Sequence, residues 1–201
     1  MNKIPSLFVR KPWSKEFNTE QVTPECKWVF DGNATITVTV KRDGTPMARI
    51  NGQWLQRRVL KVGKGYDPAV ALLSKPEGFV PCQMVPSYDQ DAQQYEWPGW
   101  VPLTEQYYAY MKEAKYDEIE CDGTFELCGP AINGNPEGLI GHCLFKHGSE
   151  IVRTSAAGVL TKDVLIELVK VMHAEGIVIS SDIGMAKLCR RDLGFEWPIR
   201  K

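Results

Sequence analysis

Lys41 ends an alternating apolar stretch and is followed by Arg42-Asp43-Gly44. A lysine amine can attack phosphorus and form a covalent intermediate, but only in its neutral form. Nearby cations or a bound metal lower the pKa of such an amine and raise its neutral fraction. Asp43 and Gly44 favour a turn that would present the amine. An exposed hairpin-turn lysine has the same pattern, so this segment alone leaves both interpretations open.

Two glutamates and a second lysine lie beside apolar stretches further along the chain. Glu126 precedes a Gly-Pro turn and can accept hydrogen bonds from ribose hydroxyls, or it can face solvent. Glu175 begins an apolar strand and can hold Mg²⁺ directly or through water, or it can be the polar end of a helix. Glu137 precedes a similar Gly-Leu-Ile stretch. Lys187 stands within an apolar strand, where an anionic phosphate would account for a cation.

The order of these elements resembles the signature of the covalent nucleotidyltransferases, which include ATP-dependent DNA and RNA ligases and mRNA capping enzymes. Lys-x-Asp-Gly, Glu-x-x-Gly, Glu-Gly-Ile-Val and an apolar-flanked lysine follow one another between Val38 and Lys187. Glu175 fits better than Glu137, because Lys187 follows it by one hairpin. Further segments are similar to the small 5′–3′ RNA ligases typified by the vertebrate RNA ligase family: Pro98-Gly99-Trp100-Val101-Pro102, Ile132-Asn133-Gly134-Asn135-Pro136, His147-Gly148 and Leu193-Gly194-Phe195-Glu196-Trp197-Pro198-Ile199.

The resemblance implies a role for each matched residue. Lys41 takes AMP from ATP as a lysyl-phosphoramidate, and Asp43 and Gly44 complete its motif. Either Arg57 or its neighbour Arg58 contacts ribose or the RNA 5′-phosphate. The remaining matches are a ribose-contacting glutamate, the carboxylate for the catalytic Mg²⁺ (or Mn²⁺) and a phosphate-binding lysine: Glu126, Glu175 and Lys187.

Two positions match the family less closely. Phe145 is the nearest aromatic residue for stacking on adenine, with a core phenylalanine as the alternative. Many ligases have a second lysine two positions after the one that Lys187 matches, and this chain has Cys189 there. We expect Arg190 and Arg191 to supply the missing charge.

The function that the resemblance implies is an ATP-dependent RNA ligase joining 5′-phosphate and 3′-hydroxyl RNA ends. The alternatives are a DNA ligase, a GTP-using capping-type nucleotidyltransferase, or a non-catalytic RNA- or nucleotide-binding module. Fourteen residues follow Lys187. The resemblance therefore predicts one minimal nucleotidyltransferase domain over residues 1–201, without a separate C-terminal oligonucleotide-binding domain.

The elements that must position these residues form an antiparallel α+β pattern. The resemblance implies that this α+β pattern folds as an ATP-grasp-like ligase adenylation domain. Turn signals and alternation predict consecutive hairpins over residues 27–62. Other predictions are helices at 67–75, 104–114 and 161–174, strands at 119–128, 177–180 and 185–188, and irregular structure over 76–103.

Composition is that of a globular protein, with 43% apolar and 24% charged residues among 201. The net charge is −1, but residues 41–64 hold seven basic residues and one acid, whereas residues 86–126 hold ten acids and two lysines. The basic stretch favours a local phosphate-binding surface, or it is simply a solvated face.

The six cysteines include no Cys-x-x-Cys pair, and no apolar secretory segment begins the chain. We therefore expect reduced thiols and a cytoplasmic protein.

Overall fold

The computed structural model describes residues 3–11, 17–32, 34–62, 75–89, 94–155 and 160–198. The helix predicted over 67–75 lies outside them, apart from Lys75. The chain divides into two compact units. The first comprises Met1–Lys3, Thr45–Leu127 and Gly141–Leu144, and the second Ile4–Gly44, Cys128–Ile140 and Phe145–Lys201.

The strands, in chain order, are β1 (Phe8–Arg10), β2 (Phe17–Val22), β3 (Ile36–Lys41), β4 (Thr45–Ile50), β5 (Gln53–Val62), β6 (Val80–Pro81), β7 (Ser87–Asp89), β8 (Gln94–Pro102), β9 (Gly123–Cys128), β10 (Cys143–Lys146), β11 (Ile151–Ser155), β12 (Gly176–Ser180) and β13 (Met185–Cys189). The α-helices are α1 (Glu105–Glu113) and α2 (Lys162–Val171), and short 3₁₀ helices span Pro24–Val29, Tyr116–Glu118 and Arg190–Leu193. The protein is therefore a mixed α+β chain dominated by antiparallel sheet.

The second unit is built on an antiparallel sheet with the strand order β11-β3-β12-β13. Successive residues of a strand point to opposite faces, so each strand supplies one apolar and one polar row. Val38, Ile177, Ile179 and Leu188 are buried in the core on one face. The opposite face carries the side chain of Lys41, as the alternation predicted for 36–41 requires.

Helix α2 covers the apolar face of that sheet. It begins at the N-cap Thr161, whose Oγ1 accepts a hydrogen bond from the Val164 backbone N–H at 3.3 Å. Leu165 and Val169, one turn apart, are fully buried and belong to the same core as Val38. The predicted helix over 161–174 is thus confirmed in position, and the observed helix stops three residues earlier, at Val171.

The sheet of the first unit has the order β10-β9-β4-β5-β8-β6, with β7 paired to β8. Strands β4 and β5 form a hairpin at Asn51-Gly52, and Asn51 has a φ of 51° and Gly52 a φ of 79°, as a tight turn of this kind requires. Helix α1 lies in the same unit and confirms the helix predicted over 104–114.

Two predictions about this part of the chain are wrong, the first of them in part. Within residues 27–62 the hairpin at Asn51-Gly52 is confirmed, but a preceding hairpin of β3 with β4 is not, because β3 pairs with β11 and β12, whereas β4 pairs with β5 and β9. Residues 76–103 are not irregular, since β8 spans nine of them. Pairing on both sides of β8 outweighs the low strand propensity of its prolines, and Gly99 leaves room for the ring of Phe79.

The strand predicted at 119–128 starts later, at Gly123, after the 3₁₀ turn Tyr116–Glu118. The hairpin formed by β12 and β13 confirms the two strands predicted near the C-terminus. No helix within the described ranges is long and apolar enough to cross a membrane.

Candidate functional site

Lys41 and Glu175 meet because β3 and β12 are neighbours in the sheet of the second unit. Lys41 is directly opposite Gly176, the residue after Glu175. The Lys41 Nζ donates a hydrogen bond to Glu175 Oε2 and forms an ion pair with it. About a quarter of the Lys41 side chain, 24%, is exposed, compared with 18% of Glu175. The predicted nucleophile and the predicted metal ligand are therefore in contact.

The Glu175 carboxyl is held in a partly desolvated place. Burial raises its pKa, while the charge and hydrogen bond of Lys41 oppose that rise, and the nearby Asp43 adds to it. Burial dominates, so the pKa lies above the ordinary carboxyl value. A carboxyl of this kind is better matched to exchanging a proton with a neighbouring amine than an exposed one.

Gly176 allows the strands beside Glu175 to approach closely. A Cβ at this position would lie 2.2 Å from the Leu188 carbonyl oxygen and 2.7 Å from the Cys189 Cα, both on β13. The Glu175 carbonyl also accepts a hydrogen bond from the Arg190 N–H at 2.8 Å. Close strand packing and this hydrogen bond therefore fix the backbone that carries the Glu175 side chain.

Lys187 lies on the same sheet face as Lys41. Thr39, Val178 and Lys187 are opposite one another across three strands, as are Lys41, Gly176 and Cys189. Because alternate residues share a face, both lysines project to the side away from the core. The structure thus brings Lys41 and Lys187 onto one sheet face, and Glu175, the residue before β12, joins them through its hydrogen bond to the Lys41 amine.

Cys189 occupies the position of the expected second lysine and is buried, with 6% of its surface exposed. Burial, followed by the charge of Glu175, raises the pKa of its thiol to about 12, although Lys41 and Lys187 oppose the rise. The side chain remains a neutral thiol and hydrogen-bonds to Glu175, which lowers the Glu175 pKa slightly. Cys189 therefore contacts the predicted metal ligand without adding charge.

Arg190 does not supply the missing charge, contrary to the prediction. Its guanidinium is buried and donates to the carbonyls of Val169, Lys170 and Met172 at 2.8–3.0 Å and to that of Glu196 at 2.9 Å. These bonds satisfy carbonyls at the C-terminal end of α2. Arg191 remains a candidate for the predicted phosphate contact, since 65% of its side chain is exposed. Its Nη2 lies 4.0 Å from Asp43 Oδ2, so part of its charge is offset by that carboxylate.

The Asp43-Gly44 turn is anchored by residues from distant segments. Trp197 Nε1 donates to Asp43 Oδ2 at 2.8 Å, and Asn133 Nδ2 donates to Asp43 Oδ1 at 3.0 Å and to the Gly44 carbonyl at 2.9 Å. The Asp43 backbone N–H donates to Glu137 Oε1 at 2.9 Å. Asn133 and Trp197 belong to segments that carry the family resemblance, yet their motifs did not reveal these contacts.

Arg42 is fixed between two glutamates that the motifs did not assign. It donates to both carboxylate oxygens of Glu150, at 2.5 and 3.0 Å, and to Glu137 at 2.9 Å. These bonds raise its pKa further above the ordinary arginine value. The guanidinium carbon lies 4.6 Å from the ring centroid of Phe145. The Arg42 guanidinium therefore covers one face of the Phe145 ring. Adenine stacking, which remains a prediction, would use the other face.

Glu126 and Arg57 lie in the first unit, on one face of its sheet. Glu126 is opposite Pro46, Ala48 is opposite Leu55, and Arg57 follows Leu55 by two residues, so alternation puts Glu126 and Arg57 on the same side. Arg58 points to the other side. Of the two arginines, Arg57 is therefore the better candidate for the predicted contact with ribose or the RNA 5′-phosphate. Glu126 is buried, and the Arg57 guanidinium lies 5.4 Å from the Trp100 ring centroid.

A metal cage made of protein ligands is absent from the described ranges, which hold no group of three or more His, Cys, Asp or Glu side chains able to bind an ion. Glu175 offers a single carboxylate. That donor set fits Mg²⁺ bound mainly through water and substrate phosphates, as is common for this ion.

No protein-family model matches this chain. No curated protein sequence matches it either.

Proposed function

We propose that this chain is an ATP-dependent RNA ligase that joins 5′-phosphate and 3′-hydroxyl ends through a lysyl-AMP intermediate. The observation that carries the proposal is the contact between the Lys41 amine and the Glu175 carboxylate, next to the anchored turn at Asp43. A nucleophilic amine, a partly buried carboxylate in contact with it, and a second cation, Lys187, on the same face as the amine are the groups that nucleotidyl transfer needs. The fold we propose is a minimal, ATP-grasp-like ligase adenylation domain.

The first step of the proposed reaction is adenylylation of Lys41. The ammonium gives its proton to Glu175, whose raised pKa reduces the cost of that transfer. The neutral amine attacks the α-phosphorus of ATP, a P–N bond forms, and the bond to the β-phosphate oxygen breaks to release pyrophosphate. Lys187 lies on the same face and binds phosphate oxygens, which offsets negative charge during the transfer.

Two further transfers seal the RNA. An oxygen of the RNA 5′-phosphate attacks the phosphorus of the lysyl-AMP, so that the P–N bond breaks and the amine recovers a proton. The 3′-hydroxyl of the other end then attacks the RNA 5′-phosphorus, its proton passes to solvent, and AMP leaves with the bond that joined it to the 5′-phosphate. We assign RNA or ribose contacts to Arg57 and ribose contacts to Glu126, which share a sheet face in the first unit.

The cofactors of this proposal are ATP and Mg²⁺ (or Mn²⁺). Glu175 would hold the metal, and the bound ion would neutralise part of the triphosphate charge. The proton that Glu175 takes from Lys41 passes to solvent, and the carboxylate, ionised again, would then hold the ion.

Incubation with ATP labelled at the α-phosphate tests the proposal, with ATP labelled at the γ-phosphate as the control. The proposal predicts that only the α-label stays covalently attached to the denatured protein. Parallel reactions with GTP, and with nicked RNA and nicked DNA, distinguish a capping-type enzyme and a DNA ligase. RNA binding without any covalent label from ATP or GTP, with either metal, would instead favour a non-catalytic binding module.

A further inference from the structure

Asn133 and Trp197 come from distant parts of the chain and donate to the same carboxylate, that of Asp43. Asp43 lies two residues after Lys41. We infer that Asn133 and Trp197 are positioning residues, which hold the turn at Asp43 and Gly44 so that the Lys41 amine is aligned for attack on phosphorus. This inference rests on the function proposed above and extends it to residues that act through the turn at Asp43.

The local conformation of Asn133 suits this task. Its φ of 50° lies in the left-handed region, which asparagine tolerates better than most residues. The same amide nitrogen thereby reaches both the Asp43 carboxylate, at 3.0 Å, and the Gly44 carbonyl, at 2.9 Å. One side chain consequently fixes two consecutive residues of the turn.

Trp197 is itself held firmly. Only 7% of its surface is exposed, and the preceding residue, Glu196, accepts a hydrogen bond from the buried guanidinium of Arg190 at 2.9 Å. Arg190 also accepts a backbone hydrogen bond from Phe195 at 2.9 Å. The indole N–H therefore approaches Asp43 from a supported segment.

The residues that follow Lys41 are each held by hydrogen bonds, which restricts the conformation of the turn. Arg42 is tied to Glu137 and Glu150, and the Asp43 N–H is bound by Glu137. Hydrogen bonds to a charged carboxylate are among the stronger ones in proteins. Because small displacements of a reacting group can cost large factors in rate, loss of either donor is expected to slow the chemistry more than nucleotide binding.

Two substitutions remove the donors, and each has a control that deletes a side-chain group of the same size elsewhere. Trp197→Phe deletes the indole N–H, and Asn133→Gly deletes the amide while tolerating a positive φ. Trp28→Phe is a matched control, because Trp28 is 8% exposed and packs in the core of the same unit. Asn51→Gly is the second control, since Asn51 has a φ of 51° and lies in the β4–β5 turn of the first unit.

The experiment is single-turnover formation of lysyl-AMP over a range of ATP concentrations, with thermal unfolding measured for every variant. We expect Trp197→Phe and Asn133→Gly to lower the maximal rate about tenfold to hundredfold. We expect the half-saturating ATP concentration to change by less than about twofold. The controls should react at the wild-type maximal rate.

The results separate this inference from the ligase proposal. A labelled wild type whose two variants match their controls overturns the inference alone, and so does an effect confined to ATP affinity. A wild type that takes no label overturns the ligase proposal and this inference together. If Trp197→Phe does not fold, Asn133→Gly decides the question.

Discussion

The amine of Lys41 contacts the carboxylate of Glu175 although 134 residues separate them in the chain. The contact follows from strand order, because β12 lies between β3 and β13 and places Gly176 opposite both Lys41 and Cys189. Strand β12 thereby brings together the candidate nucleophile Lys41, the candidate metal ligand Glu175 and the neutral thiol of Cys189. The site consequently depends on the integrity of this three-strand pairing.

Gly176→Ala is expected to destabilise the protein by about 1–3 kcal/mol, because its new methyl group would overlap β13 backbone atoms that cannot move aside alone. Gly184→Ala is the matched control, since the nearest atom to its Cβ is Trp28 Nε1 at an ordinary 3.5 Å. We expect the control to stay within about 0.5 kcal/mol of wild type. Urea denaturation measures both values, and equal stability of the two variants would contradict the close approach of β12 and β13.

The raised pKa of Glu175 predicts a pH-dependent stability. The folded state holds the Glu175 proton more tightly than the unfolded state, so its stabilising contribution is complete below the ordinary carboxyl pKa and is lost as pH rises through the raised value. The free energy of unfolding of wild type minus that of Glu175→Gln should therefore fall as pH increases from about 4. Chemical denaturation at a series of pH values measures this difference.

Glu167→Gln provides the exposed comparison for that series, because 59% of the Glu167 side chain is exposed. The wild type minus Glu167→Gln difference should vary less with pH than the Glu175 difference. A Glu175 difference that grows with pH would mean that the ion pair with Lys41 outweighs burial, contrary to our account.

Arg190→Gln is expected to destabilise the fold by about 3 kcal/mol, because several carbonyls at the end of α2 and at Glu196 lose a charged donor. Arg191→Gln, at the exposed neighbouring position, should change stability by less than about 0.5 kcal/mol. Thermal and urea unfolding provide the comparison. If Arg190→Gln is as stable as Arg191→Gln, then Arg190 has no structural role and again becomes a candidate for the missing phosphate-binding charge.

The cysteines should differ in their reactivity toward iodoacetamide near neutral pH. Burial is the main cause that raises the pKa of Cys26 to about 11 and that of Cys189 to about 12, so neither forms the reactive thiolate readily. Cys121 and Cys143 are exposed. Mass spectrometry should find them alkylated in the native protein, whereas Cys26 and Cys189 should react only after unfolding. Rapid native alkylation of Cys189 would contradict its buried position beside Glu175.

The sequence predicted those parts of the fold in which local signals and tertiary pairing agree. The apolar spacing of α2, the alternation in β3 and the β12–β13 hairpin are of this kind. Strand β8 was missed because proline and glycine argue against a strand locally, and only its partners on both sides stabilise it. The Asp-Gly pair at 43–44 predicts a hairpin turn, but the strands that it joins belong to different sheets.

The candidate site was predictable as a set of residue types, but its supporting contacts were not. Lys41, Glu175 and Lys187 carry chemistry that motif order can identify. Asn133 and Trp197 are separated from Asp43 by 90 and 154 residues, so only the folded chain can reveal that they donate to it. Arg190 shows the reverse error, since charge alone suggested a phosphate ligand where burial and hydrogen bonding assign a helix-terminal role.

Mass spectrometric mapping of the protein after incubation with ATP and Mg²⁺ shows which residue accepts the AMP group. We expect one AMP group attached to Lys41 in the wild type, and no adduct in Lys41→Ala at equal folded concentration. Lys170→Ala, a change at a lysine of α2 whose side chain is 57% exposed, should carry the adduct as wild type does. An adduct on a different residue, an adduct that persists in Lys41→Ala, or no adduct in the wild type would contradict the assignment of Lys41 as the nucleophile.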